Sequence, residues 1–237
     1  MKMRGYTDER HYMQVDALYH YLHGESFPPV MVEIDPSGVC NHKCHFCYSQ
    51  YRVGREQLPT DVLHRIIDEL ADFGVKSILW QGSGEPLMHK GLPEVIEHAG
   101  KRGLSQTLTT NGALFTPDVQ ERIIPHLHYM RFSVIDHHRL DANILAAVAY
   151  RAAHKYEIYF TATVYLDETN FHDAYNIVGY YKELGLDYIV IEQRKAVMRY
   201  INTTPPEGSE CSVCNHWKAN NRIYTLVNRT KWSDFLI

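Results

Sequence analysis

The chain has 237 residues, of which 45% are hydrophobic and 22% charged, and its formal net charge at pH 7 is −4. This length allows one sizeable hydrophobic core, and the negative balance argues against a dedicated nucleic-acid-binding protein, which usually carries a basic footprint. No apolar run approaches the roughly eighteen residues of a membrane span, and Met1 to Phe27 lack the apolar centre of a signal peptide. The sequence therefore predicts a soluble, cytoplasmic protein.

A helix is predicted near the start of the chain and a strand directly after it. Apolar side chains recur at helical spacing in residues 8–23, which predicts an amphipathic helix packed on the main domain. These side chains are Tyr12, Val15, Leu18, Tyr19 and Leu22. Pro28 and Pro29 stop the helix, and the β-rich run from Val30 to Ile34 predicts the first strand.

Strand and helix patterns then alternate along the chain. Further strands are predicted at Val75–Gln81, Leu104–Thr109, Tyr129–Ile135, Glu157–Val164 and Asp187–Glu192. Helices are predicted from a Thr60 cap to Gly74, over Leu92–Lys101, from Pro117 to Ile124, over Asp141–His154 and from an Asn170 cap to Leu184. This alternation predicts an α/β fold with a parallel sheet covered by helices. Six strand-and-helix units are fewer than the eight of a closed barrel.

The chain is predicted to have three parts. Residues 1–29 form an N-terminal helical segment, residues 30–200 form the α/β domain, and residues 201–237 form a short C-terminal extension that contains two cysteines. The composition changes after about Tyr200, where residues 203–208 are rich in Thr, Pro and Gly and are typical of a linker.

Three of the five cysteines, Cys40, Cys44 and Cys47, follow the first predicted strand at the spacing Cys-x3-Cys-x2-Cys. Such a loop does not indicate a disulfide framework, and available thiols favour a reducing compartment. Thiolates hold iron–sulfur clusters, and three of them leave one iron of a [4Fe–4S] cubane without a protein ligand. Zinc is the alternative, since it also takes Cys and His, and His42 and His45 lie inside the loop.

With Phe46 before the third cysteine and Tyr48 after it, this loop resembles the cluster loop of the radical S-adenosylmethionine (radical SAM) enzymes. The resemblance spans roughly residues 30–193 and implies a partial (β/α)6 TIM-like barrel. It also implies a [4Fe–4S] cluster whose open iron binds SAM, and a flavodoxin- or ferredoxin-type donor of one electron. Cleavage of SAM then gives a 5′-deoxyadenosyl radical that abstracts a hydrogen atom from a peptide or small-molecule substrate. In this family Phe46 and Tyr48 stand at cofactor-binding positions.

Gly82 follows the second predicted strand, and the next residues, Ser83-Gly84-Glu85-Pro86, resemble the Gly-Gly-Glu-Pro motif of the family, with Ser83 in place of the first glycine. The resemblance implies that this turn receives the amino group of SAM. A residue without a Cβ lets backbone carbonyls approach an ammonium group closely, and a nearby carboxylate adds charge complementarity. An ordinary strand-to-helix turn with a solvated glutamate is the alternative.

Further candidates follow or lie within the later strands. The resemblance assigns Asn111, in Thr-Asn-Gly, and Ser133, in the fourth strand, to SAM binding. Asn-Gly is also a common turn, and a strand serine is often a small polar neighbour. Glu192 is expected to contact adenosine or substrate, or else to lie on the surface. Three residues after the fourth strand are candidates for acid–base catalysis: Asp136, His137 and His138.

Cys211 and Cys214, with His216 nearby, form a second metal-type feature. The segment resembles the start of a C-terminal auxiliary (SPASM/twitch-like) extension, although no cysteine follows Cys214. The pair is therefore an auxiliary cluster site, a zinc site, two buried thiols, or extra ligands for the upstream loop. The rivals for the whole protein are a zinc-stabilised binding protein without catalysis and an iron–sulfur electron carrier or sensor.

Overall fold

The computed structural model describes residues 15, 17–44, 47, 49, 56–134, 141–166 and 170–193. The strands in these ranges are β1 Met31–Ile34, β2 Ser77–Trp80, β3 Ser105–Thr110, β4 Tyr129–Val134, β5 Tyr159–Leu166 and β6 Tyr188–Gln193. The helices that alternate with these strands are α1 Thr60–Phe73, α2 Leu92–Lys101, α3 Pro117–Ile123, α4 Asp141–His154 and α5 Ala174–Glu183. Short 3-10 turns lie at Pro86–Met88, Ile124–His126 and Phe171–Asp173.

The six strands form one sheet in sequential order, β1 to β6, and every neighbouring pair is parallel. Parallel neighbours need a crossover connection, and helices α1 to α5 supply it. All six strands therefore end at the same edge of the sheet. This arrangement confirms the predicted α/β fold with a six-stranded partial barrel.

The hydrophobic core lies between the sheet and its helices. Met130, Phe132 and Val134 of β4 belong to this core. Because successive side chains of a strand point to opposite faces, Arg131 and Ser133 lie on the other side of the sheet. We call that side the lumen face. Burial of each large apolar side chain in the core contributes about 1.5–3 kcal/mol.

Helix α1 shows why the local sequence folds as it does. Leu63 and Ile67 are fully buried and lie one helical turn apart, so the helix presents one apolar face to the sheet. Gly74 ends the helix in the left-handed region, at φ 95°, where a residue without a Cβ is favoured.

Two predicted helix caps are wrong. Pro59 occupies the N-cap of α1, and Thr60 is the first helical residue, with no side-chain capping bond. Asp173 occupies the N-cap of α5, after a 3-10 turn, while the side-chain amide of Asn170 donates to the carbonyl of Tyr165 at 3.2 Å. Capping residues indicate the neighbourhood of a helix start, and tertiary contacts decide the position.

The predicted packing of the N-terminal helix is also wrong for the residues that can be assessed. Residues 17–22 are helical, but Leu18 and Tyr19 are each 55% exposed and Leu22 is 71% exposed. Residues 1–14 and 201–237 lie outside the described ranges, so the three-part division of the chain stays a prediction. In the described part of the chain, no helix has the length and apolarity to cross a membrane.

Candidate functional site

The three-cysteine loop follows the carboxyl end of β1. Cys40 is exposed and Cys44 and Cys47 are half-buried, and no two of them are joined by a disulfide. The Cys47 amide donates to the carbonyl of Cys44 at 3.0 Å, which closes a tight turn. The amide of His42 donates to Sγ of Cys40 at 3.4 Å. Three soft sulfur ligands thus lie on one short loop at the carboxyl edge of the sheet.

The surroundings of Cys40 disfavour its thiolate form. Although part of the residue is exposed, burial raises the pKa of its thiol, and the negative charge of Glu85 adds to this effect. Hydrogen bonds from the His42 amide and the Asn111 side chain act in the opposite direction. A bound metal ion would supply the positive charge that stabilises the deprotonated sulfur. The donor set therefore fits a metal cluster.

Asp35 connects the end of β1 to the turn after β2. Its Oδ2 atom accepts hydrogen bonds from the Ser83 amide at 2.7 Å and the Ser83 hydroxyl at 2.6 Å. A Cβ on Gly82 would lie 1.9 Å from Cγ of Asp35, so the glycine makes room for this carboxylate. Sequence reasoning missed Asp35. The available signal was a carboxylate placed directly after a strand, at the edge where the turn also lies.

Gly84 brings the same turn into direct contact with the cysteine loop. A Cβ on Gly84 would lie 2.1 Å from the carbonyl oxygen of Ser37 and 2.4 Å from that of Val39. The amide of Glu85 donates to the Val39 carbonyl at 2.8 Å. The missing side chain thus lets two pieces of protein backbone meet. The sequence-based reason, room for an ammonium group of a ligand, is not what this contact shows.

The Glu85 carboxylate lies among protein donors at the ends of two strands. It is buried, with 2% exposure. Oε1 accepts from the Thr110 hydroxyl at 2.6 Å and the Leu87 amide at 3.1 Å, and Oε2 accepts from the Asn111 amide at 2.7 Å. Burial raises the pKa of Glu85, while these hydrogen bonds oppose the shift. The carboxylate thus joins the ends of β2 and β3, and the alternative of a solvated glutamate is wrong.

Asn111 extends this connection to the cysteine loop. Its Nδ2 atom donates to Oδ1 of Asn41 at 2.7 Å and lies 4.0 Å from Sγ of Cys40. Its Oδ1 atom accepts from the amide of Ala113 at 3.0 Å. The residue predicted from a common turn motif therefore contacts the loop that carries the cysteines, across about 70 residues of sequence.

On the lumen face, Tyr165 brings together two predicted residues. Its hydroxyl is hydrogen-bonded to the side chain of Ser133, and the carboxylate of Glu192 lies nearby on β6. Burial raises the pKa of Tyr165, and Glu192 adds to this, while the bond to Ser133 and the charge of Arg131 oppose it. The charge of Cys44 also acts on this hydroxyl, so the group lies near the cysteine loop. Sequence reasoning missed Tyr165, because it looks like any strand aromatic.

Seven predicted site residues lie outside the described ranges, and their roles stay predictions: Phe46, Tyr48, Asp136, His137, His138, Cys211 and Cys214. Among the residues that the structure does describe, no three His, Cys, Asp or Glu side chains converge closely enough to hold a single metal ion. The thiolates of a cubane each bind a separate iron, so they need not converge on one point.

Comparison with known proteins identifies the family. The family model of the radical SAM superfamily matches residues 34–191, about two thirds of the chain. A Fe-coproporphyrin III synthase of Methanosarcina barkeri is 37% identical over 86 residues, which cover 35% of this chain and 21% of that protein. A PqqA peptide cyclase of Granulibacter bethesdensis is 31% identical over 99 residues, which cover 41% of this chain and 26% of that protein. The chain thus spans about a quarter of these relatives.

Solved structures show the same fold. SuiB of Streptococcus suis bound to S-adenosylmethionine superposes with a TM-score of 0.63 at 17% identity, over 97% of this chain and 55% of that chain. SuiB bound to its precursor peptide SuiA superposes with a TM-score of 0.62 at 18% identity, over 90% of this chain and 49% of that chain. This likeness concerns the fold, and the family match covers the strands and loops that form the site. The chain belongs to the radical SAM superfamily.

Proposed function

We propose that this protein cleaves SAM reductively and uses the resulting 5′-deoxyadenosyl radical to abstract a hydrogen atom from a bound substrate. Enzymes of the superfamily use a [4Fe–4S] cluster and SAM, and the cluster, when bound, supplies the electron for cleavage. The observation that carries the proposal is the docking of the cysteine loop. The Glu85 amide holds Val39, and the Asn111 side chain holds Asn41. The start of the loop that carries the three sulfur ligands, on both sides of Cys40, is thereby held beside two elements that the resemblance assigns to SAM.

Each group at this edge then has a task. Cys40, Cys44 and Cys47 would each hold one iron of the cluster, which would leave its fourth iron open to SAM. The backbone of the turn after β2, including Ser83 and Gly84, faces the amino group. This assignment is supported by the contact between that turn and the cysteine loop. Glu85 and Asn111 act as positioning residues, because their polar atoms bind the protein.

Side chains on the lumen face are proposed to meet the adenosine or the substrate. Ser133, Tyr165 and Glu192 offer a hydroxyl pair and a carboxylate near the loop. Hydroxyl and carboxylate groups can bind ribose hydroxyls or orient a polar substrate. An external one-electron donor of the flavodoxin or ferredoxin type completes the proposed reaction.

The proposed substrate is a peptide, with a small molecule as the alternative. Two similar proteins support this choice. SuiB has been seen bound to a precursor peptide, and a curated relative is named a peptide cyclase. The Fe-coproporphyrin III synthase supports the small-molecule alternative.

The test is metal content and SAM cleavage in anaerobically purified protein. We expect brown protein with absorbance near ~400 nm, typical of iron–sulfur charge transfer, and release of 5′-deoxyadenosine when dithionite and SAM are added. Replacing Cys40, Cys44 and Cys47 together by alanine should abolish both signals. Asn176→Ala, which removes an amide on α5 that bonds only Asp173 in the described contacts, is the matched control.

The alternatives give different results. Colourless protein with stoichiometric zinc would establish the zinc-stabilised binding protein. Brown protein that never yields 5′-deoxyadenosine would establish the electron carrier or sensor. Either result contradicts the proposed function.

A further inference from the structure

Arg131 places a permanent positive charge on the lumen face. Its Nη2 atom donates to Oε1 of Gln81 at 3.1 Å, and the same oxygen accepts from the hydroxyl of Thr109 at 3.2 Å. Gln81 is a neutral partner, and no Asp or Glu of the described ranges forms an ion pair with Arg131. A guanidinium carries several N–H donors in a planar fork, so most of the hydrogen-bonding capacity of Arg131 is available to a ligand.

Two buried hydroxyl groups lie on the neighbouring strand. Thr161 and Thr163 are 0% and 1% exposed, and the Oγ1 atom of each has no hydrogen-bond partner within the described ranges. Buried polar side chains in folded proteins are nearly always hydrogen-bonded. Two such hydroxyls on one strand therefore indicate a bound ligand or water that forms hydrogen bonds with them.

The register of the sheet places these groups together. Thr161 pairs with Arg131, and Thr163 pairs with Ser133. Ala162, which lies between them on β5, belongs to the hydrophobic core together with Phe160 and Val164, and these side chains point toward the helices. Since side chains alternate along a strand, both threonines face the lumen on the same side as Arg131.

The chemistry of this group selects its ligand. A guanidinium and hydroxyl donors bind the oxygens of a carboxylate through charge-assisted hydrogen bonds. The carboxylate of Glu192 lies close to Tyr165 on the same face, and Arg131 is near enough to influence Tyr165 as well. Arg131 supplies one positive charge, and Glu192 places a negative charge nearby. This balance of charge favours binding of a singly charged carboxylate over a doubly charged phosphate.

The residues of this group span two levels of the sheet, because Arg131 pairs with Thr161 and Thr163 pairs with Ser133. Arg131 lies two residues before Ser133 on β4, so its Cα lies about 7 Å farther from the carboxyl edge, at the usual rise of a strand. The cysteine loop and the turn after β2 both follow strand ends. The Arg131 guanidinium reaches Gln81 at the carboxyl end of β2, so a carboxylate bound by this group would adjoin a molecule seated at that edge.

We infer that Arg131, Thr161 and Thr163 form a binding site for a carboxylate group of the substrate. The identification of the occupant as substrate rests on the proposed function. In a peptide substrate, the group would be an Asp or Glu side chain or the C-terminal carboxylate. The same site would hold the carboxylate of a small acid.

Trifluoroacetate is a suitable probe, since its binding to the anaerobically reconstituted protein can be followed by 19F NMR with and without saturating SAM. Trifluoroethanol is the neutral control. We expect saturable binding of trifluoroacetate alone, retained when SAM is present. Arg131→Gln should weaken it about tenfold or more, and Thr161→Val with Thr163→Val should weaken it about two- to tenfold. Arg122→Gln removes a surface guanidinium paired with Glu97 and should leave binding unchanged.

Circular dichroism of each variant, together with Arg131→Lys, which retains the charge, separates loss of the site from loss of the fold. Equal binding to wild type and Arg131→Gln, or no saturable binding, would overturn the inference. Displacement of trifluoroacetate by SAM, with reduced SAM affinity in Arg131→Gln, would assign the site to the carboxylate of SAM and also overturn it. Carboxylate binding without any SAM cleavage would contradict the proposed function and leave the site itself standing.

Discussion

The Glu85 carboxylate accepts three hydrogen bonds, and all three come from protein groups at the ends of β2 and β3. The expectation that this carboxylate complements the amino group of SAM stays a prediction, and its described contacts are with protein groups. Two of the donors, the Thr110 hydroxyl and the Asn111 amide, lie about 25 residues further along the chain, at the end of β3 and directly after it. A motif shows which residue types recur together, but it does not show which way a buried side chain turns.

Replacing Glu85 by Gln should therefore destabilise the fold. The amide NH2 would face a backbone or hydroxyl donor, leaving at least one buried donor unsatisfied, at a cost of about 1–3 kcal/mol. Urea unfolding followed by circular dichroism measures the difference. Glu94→Gln, on an exposed side chain near His64, should change the free energy of unfolding by less than about 0.5 kcal/mol. Equal effects of the two substitutions would contradict the connecting role of Glu85.

Asn111 is expected to affect retention of the metal more than stability of the fold. Asn111→Ala removes the bond to Asn41 and the amide near Cys40. One neutral hydrogen bond corresponds to about a two- to tenfold change in an equilibrium, so iron loss to a chelator should be faster by about that factor. Iron content over time provides the measurement, with Asn176→Ala as the control. An unchanged rate would mean that Asn111 does not hold the cysteine loop.

The residues of the carboxylate site could not be predicted from the sequence. Arg131, Thr161 and Thr163 are ordinary strand residues in a linear reading. Their significance depends on the register between β4 and β5 and on which face each side chain takes. Both properties arise only when the strands pair, since no local pattern records a partner strand.

The turn after β2 and the loop after β1 pack backbone against backbone. Contact this close requires Gly84, because a Cβ there would reach within 2.1 Å of a carbonyl oxygen. The loop holding the three cysteines thus depends on the conformation of a different element. Asp35 adds a second connection between the same two segments through Ser83.

A pair of glycine substitutions tests this contact. Gly84→Ala should destabilise the protein by about 1–3 kcal/mol or more, since two backbone segments must separate. Gly179→Ala, inside α5 and with no heavy atom within 4 Å of the added Cβ, should stabilise it by about 0.5–1 kcal/mol. Thermal unfolding and iron content of both variants give the comparison. A tolerated Gly84→Ala with full iron content would contradict the packing described.

Helices and strands that are bounded by clear turn or helix-ending residues could be predicted from the sequence. Helices α2 and α4 begin and end at the predicted residues. The predicted strands all exist, with ends displaced by one or two residues. The starts of α1 and α5 were mispredicted, because Thr60 and Asn170 are good capping residues that instead lie in the first turn or before it.

The six parallel strands, in sequential order, all have their carboxyl ends at one edge of the sheet, and the candidate site lies at that edge. Each carboxyl end leads into a loop or turn at the same edge, so the segments after β1, β2 and β3 meet although they lie far apart in sequence. The alternation of strands and helices predicted this convergence. It did not predict the lumen face, where alternate residues of β4, β5 and β6 gather.

The central claim is that three thiolates leave one iron able to bind SAM. Electron paramagnetic resonance of the dithionite-reduced protein, recorded with and without SAM, tests it most directly. A cluster ligated by Cys40, Cys44 and Cys47 should give a reduced [4Fe–4S] signal whose g-values change when SAM is added, because SAM becomes a ligand of the fourth iron. A reduced cluster whose signal is identical with and without SAM, or protein that contains no iron, would contradict the account.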